Sequence, residues 1–213
     1  MEPLSFKGRR GSGVGSRLGY ADASLEPRWD WQKYLYTYRV WGRSMYNPES
    51  AAGDARRLLR TQFGVAASDV EAALASATRI LPTITTAHGP SAANNNYWPE
   101  MYTNQPIVSP GKNQYSDTPS PKVFGNTSPF DPQLFSTVNG IAVELLAKER
   151  SGKYSPLEVA QWLEDDAASA LGRLAQAERK TKNTIEFRRL ALDVRIQAGL
   201  GQFFAHKMRA GVL

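Results

Sequence analysis

The sequence predicts an all-α, mostly helical fold with a long, ordered Pro-rich loop segment and a C-terminal three-helix antiparallel bundle. Apolar residues recur at helical spacing along most of the chain outside residues 82–131. Helix-start signals stand at Asn47, Ser68, Asp131 and Ser155. No run of alternating strands and helices is present, which excludes a barrel of about 250 residues built from such units. The 213 residues, 41% hydrophobic and 22% charged, suit one folded domain and exclude wholesale disorder.

That domain, 1–213, divides along the chain into a basic arm (1–28), helices (29–81), a loop segment (82–131) and a three-helix bundle (132–213). The opening is rich in Gly, Ser and Arg and aperiodic, hence an extended arm or loop. Its "GSGVGSRLG" is a poor phosphate loop, because Leu18 stands where the last glycine is needed and no strand precedes it. In "WDWQKYLYTYRVWGR", Trp31, Tyr34, Leu35, Tyr38 and Trp41 recur at helical spacing, with Asp30 as cap and Gly42 at the last turn. Tyr34, Tyr36, Tyr38 and Val40 also alternate as in a strand; helix is the favoured reading.

Asn47 with Pro48 starts the next helix, which Gly64 stops. The box Ser68 to Glu71 starts another, with the stripe Val70, Leu74, Ala77, Leu81 and an end at Pro82. Residues 82–132 hold nine of the thirteen prolines and no sustained period, which marks a functional or interface segment. Its anchors are Tyr97, Trp98, Tyr102, Tyr115, Phe124 and Phe130.

After Asp131-Pro132 the first bundle helix carries Leu134, Val138, Ile141 and Leu145. The second starts at the box Ser155 to Glu158 and carries Ala160, Leu163, Ala167, Leu171 and Leu174. The third carries Phe187, Leu190, Val194, Ala198, Gly201, Ala205 and Met208. Short connections make such helices antiparallel neighbours.

Zero cysteines exclude disulfides, thiolate metal sites and cysteine nucleophiles, and two histidines, His88 and His206, are too few for a His-rich metal cluster. No cofactor and no metal are predicted. The start has no apolar h-region and no apolar run approaches a membrane span of ~20 residues, so neither leader nor anchor is expected. The +6 charge is concentrated early: residues 1–60 hold 11 Lys+Arg against 6 Asp+Glu, and the remainder 15 against 14. A basic arm of that kind suits nucleic acid or an acidic partner, or serves solubility alone.

The chemistry-bearing stretch is "SAANNNYWPEMYTNQP", 91–106. Glu100 lies among aromatics that desolvate a carboxyl group and raise its pKa, as a glycosidic general acid requires, with Asp30 or Asp117 as the second carboxylate. Asn94, Asn95, Asn96, Tyr97, Trp98 and Tyr102, with Trp29, Trp41 and Arg43, form a candidate sugar-binding set, since aromatic faces stack on sugar rings and amides bind hydroxyls. The competing reading makes the aromatics anchors and Glu100 a solvated side chain. His88 and His206, the acidic run Glu164 to Asp166 and the charges of "RRLALDVR" read as structural or surface groups.

The stretches "YTYRVWGRSMYNPE", "FG", "ASATRILPTIT" and "LDVRIQAGLGQFFAHKMRAG", in that order, resemble the helical region that follows the catalytic barrel in large bacterial glycoside-hydrolase-like proteins related to α-glucuronidases. The resemblance matches no catalytic residue of those enzymes to a position here. It implies a helical accessory domain of a carbohydrate-active protein, with an oligo- or polysaccharide and the rest of a larger enzyme as partners. The alternatives are an assembly module acting through the basic arm and a stand-alone glycosidase using Glu100 with Asp30 or Asp117.

Overall fold

The computed structural model describes residues 20–49, 53–88, 107 and 123–213, without the side chains of residues 30, 54 and 55. Its architecture is all-α. Among the described residues six helices run in order: α1 Leu35–Tyr46, α2 Gly53–Phe63, α3 Ala67–Ala87, α4 Val138–Ala147, α5 Pro156–Glu178 and α6 Ile185–Val212. Among the described residues the only β pairing is an isolated bridge between Phe135 and Tyr154. The chain forms two compact units, one of residues 1–73 and 172–194, the other of 74–171 and 195–213.

The second unit holds the bundle. Val159, Ala160, Leu163 and Ala167 of α5 share a core with Ala198, Phe204, Ala205 and Met208 of α6, Val138 of α4 and Phe124. Ile80, Ile84 and Ala87 of α3 join the same core, so the bundle takes in a helix beyond the three expected. Ser76 bonds Ser169 at 3.0 Å and Arg79 pairs with Asp166, a three-residue step in opposite directions that sets α3 antiparallel to α5. At Gly201 an added Cβ would stand 3.2 Å from Ile80 and 3.3 Å from the Leu163 carbonyl, so glycine is what lets α6 approach α3 and α5 there.

Several local signals act as expected. Ser155 and Glu158 form the reciprocal box, the Ser155 N–H donating to the Glu158 carboxylate at 2.8 Å and the Glu158 N–H to the Ser155 hydroxyl at 3.2 Å. Gly64 follows α2 at φ +56°, a conformation glycine adopts without a Cβ penalty.

Others are corrected. Pro82 does not end α3, which runs on to Ala87. An interior proline removes a backbone bond and costs about 3 kcal/mol; burial of Ile84 and Ala87 beyond it, with about 1.5–3 kcal/mol for a large aliphatic alone, offsets much of that. Asp131 accepts from the N–H groups of Gln133 and Leu134 and closes a turn, while α4 starts at Val138 under a Thr137 cap. Asn47 likewise closes a turn onto Glu49 after α1, and α2 starts at Gly53. Gly42 lies inside α1, Asp30 belongs to a 3-10 turn, and Ser68 sits inside the first turn of α3 rather than before it. Of the described loop anchors, Phe124 is buried but Phe130 is exposed.

In the first unit, Leu59 and Phe63 of α2, Ala66, Val70 and Ala73, Leu174 and Ala177 of α5, and Phe187, Ala191 and Val194 of α6 are buried. Phe63 meets Phe187 edge to face at 6.0 Å. Asp69 receives Lys180 at 2.6 Å and Arg173 at 3.7 Å, which ties the end of α5 to the start of α3.

Candidate aromatic recognition surface

In the first unit a turn and a helix carry most of the exposed aromatic rings. Residues 30–32 form a 3-10 turn closed by the Gln32 N–H to the Trp29 carbonyl and by the Trp29 N–H to the Gln32 side chain, both at 3.0 Å. Trp29 and Trp31 flank Asp30 on this turn and are 55% and 49% exposed. Burial of about half of each indole fixes it, and the other half is left as an accessible face. The Arg28 guanidinium stands 5.8 Å from the Trp29 ring centre.

The helix α1 has no buried residue. At about 100° per residue, Tyr38, Trp41 and Met45 share one face, and all three are exposed, Trp41 by 51%. The half-buried Tyr36 and Val40 lie on the other side. Arg43 is two residues from Trp41, which places it about 200° round the helix. Trp41 and Arg43 therefore do not line one wall, and Arg43 groups instead with Arg39 and Tyr46, also exposed.

The arm is anchored from Tyr20 onward. Tyr20 and Leu25 are buried, and α6 holds the segment at both ends. Arg188 pairs with Asp22, Arg189 donates to the Leu25 carbonyl, and Lys33 meets Asp193 at 3.4 Å. Burial pushes the Asp193 carboxyl up, further than the Lys33 ammonium lowers it. At Lys33 burial acts downward, but Asp193 and Tyr20 outweigh it and the amine ends above its ordinary value. The charges of "RRLALDVR" are thus partly tethers rather than surface charge alone. Their partners lie more than 150 residues away in sequence, beyond any local signal.

Of the remaining candidates, Glu100, Asp117, Asn94, Asn95, Asn96, Tyr97, Trp98 and Tyr102 lie outside the described residues, as does the Asp30 side chain. The structure thus brings Trp29 onto a turn with Trp31, keeps Trp41 exposed on α1 and turns Arg43 away from it. The acidic run at 164–166 also differs from a purely solvated face: Glu164 binds Arg209 and Asp166 binds Arg79.

The second unit contains one buried ionisable stack. The His88 ring lies 4.0 Å from that of Phe124, and the Lys207 ammonium stands 4.7 Å from the same Phe124 ring. Burial, followed by the Lys207 charge, takes His88 from 6.5 down to about 3, which keeps the imidazole neutral at any ordinary pH. Burial alone takes Lys207 from 10.5 to about 8. Both side chains belong to the core of the bundle, and the stack reads as packing.

Among the described residues no group of three His, Asp or Glu side chains is arranged to hold a metal, and no helix is long and apolar enough to cross a membrane. Comparison with protein-family models, with curated proteins and with solved structures finds no match.

Proposed function

We propose that the chain is a helical accessory domain of a carbohydrate-active protein, and that the Trp29–Trp31 turn with the Trp41 face of α1 is a glycan-facing surface. One observation carries the reading: three indoles within a short stretch stand about half exposed, and the turn that bears Trp29 and Trp31 is tied on both flanks to α6. Flat aromatic faces held in place stack on sugar rings at little ordering cost, and Arg28 beside Trp29 supplies donors for hydroxyl or carboxylate groups. The stretch from Asn94 to Tyr102, with Glu100, enters this proposal through its composition alone. Glycosidase action by Glu100 with Asp30 or Asp117 is a further step that needs those carboxylates brought together.

A second reading is favoured by the spacing of Tyr38, Trp41 and Met45, the pattern of a helix face seated in the groove of another protein. The two readings separate on direct titration. With cellohexaose, maltohexaose and an oligogalacturonide, glycan recognition predicts a saturable change in tryptophan fluorescence with a dissociation constant of about millimolar, because so small a contact leaves little surplus free energy. Silence across the whole panel overturns glycan recognition and leaves the protein groove.

A further inference from the structure

The turn that carries Trp29 and Trp31 is exposed, yet its two flanks are fastened to one short stretch of α6. On the N-terminal flank, Arg188 reaches the Asp22 carboxylate and, at 3.4 Å, the Ser24 hydroxyl, and Arg189 donates to the Leu25 carbonyl. Asp22 is itself fixed by accepting the Ser24 N–H at 2.9 Å. On the C-terminal flank, Lys33 meets Asp193 at 3.4 Å and lies 5.2 Å over the Tyr20 ring and 6.0 Å over that of Tyr34. Leu25 and Pro27 are buried beside these ties, whereas residues 28–32 between them face solvent or, for Asp30, have no described side chain.

The exposed Arg188–Asp22 tie contributes little to global stability, as exposed ion pairs generally do, while the Lys33–Asp193 pair is partly buried and contributes more. Their position gives them a different effect. Ordering backbone costs conformational entropy, and a turn pinned at both ends has met that cost on folding rather than on binding. We propose that Arg188, Arg189 and Asp193 of α6 are positioning residues that hold the Trp29–Trp31 turn in its binding-ready form. This rests on the glycan-facing reading of that turn.

The test uses the full chain labelled with 5-fluorotryptophan, whose indole resonances are assigned by single Trp→Phe changes. Asp193→Asn is expected to shift or broaden the Trp29 and Trp31 fluorine signals, leave that of Trp162 in place, and weaken binding of whichever panel hexaose binds best about ten-fold, with a fall in the melting midpoint too small to account for that loss. Lys33→Arg, which keeps the charge, is expected to retain both the signals and the affinity. If Asp193→Asn does not fold, Arg188→Gln tests the other flank by the same readouts. Unmoved Trp29 and Trp31 signals overturn the inference, as does movement of every indole signal together with a proportionate fall in melting temperature, which marks a general structural role. If the wild type binds none of the glycans, the glycan reading fails, and the fluorine signals still decide whether α6 positions the turn.

Discussion

The two units differ in where their helices leave aromatic rings uncovered. The second converges four helices on one core in which Ile80, Ile84, Phe124, Leu163 and Phe204 are wholly or almost wholly inaccessible. The first packs Leu59, Phe63 and Val70 in the same manner but keeps α1 at its surface with no buried residue and Trp29, Trp31 and Trp41 half open. Helical periodicity is present in both. An apolar stripe therefore establishes a helix, while the covering element decides whether the stripe is core, and on α1 the described residues leave Tyr38, Trp41 and Met45 uncovered.

The sharpest way to probe the difference is acid. His88 in the folded second unit takes its proton only near pH 3, whereas the unfolded chain takes one at about 6.5. The unfolded state thus binds more protons in that window, so the contribution is complete above pH 6.5 and is lost as pH falls towards 3, by up to roughly 5 kcal/mol. Urea unfolding at stepped pH is expected to show this slope, and His88→Gln to flatten it. Next in size, Phe124→Ala removes the ring against which His88 and Lys207 lie and is expected to cost about 4 kcal/mol by chemical denaturation.

Smaller and of opposite sign is Pro82→Ala. It restores a backbone donor inside α3 at an exposed position, and a gain of about 1–2 kcal/mol is expected in the same assay, after allowance for the greater freedom it gives the unfolded chain. A loss would mean that the surroundings of α3 are built around the proline.

Much of the fold was legible because its signals are local. The Ser155 to Glu158 box, Gly64 and the stripes of α5 and α6 depend on neighbours within a turn or two. Pro82, Asn47 and Asp131 carry genuine turn or stop chemistry, but a helix crosses the first because burial beyond it outweighs the break, and the other two close turns ahead of helices that start several residues later. At the candidate site the aromatic residues were legible by type. Their exposure was not, nor was the role of Arg188, Arg189 and Asp193, because both are set by contacts between distant segments. The separation of Trp41 from Arg43 follows from helical register once α1 is known to run through Gly42.

The central claim, that the aromatic surface of the first unit recognises a ligand rather than supporting the fold, is tested most directly by a paired measurement on Trp29→Ala: thermal melting together with titration by the best-binding hexaose of the panel. The account predicts a stability loss of no more than about 2 kcal/mol, from the buried half of the indole, and loss of measurable binding. A steep fall in melting temperature, or binding that persists unchanged, would contradict it.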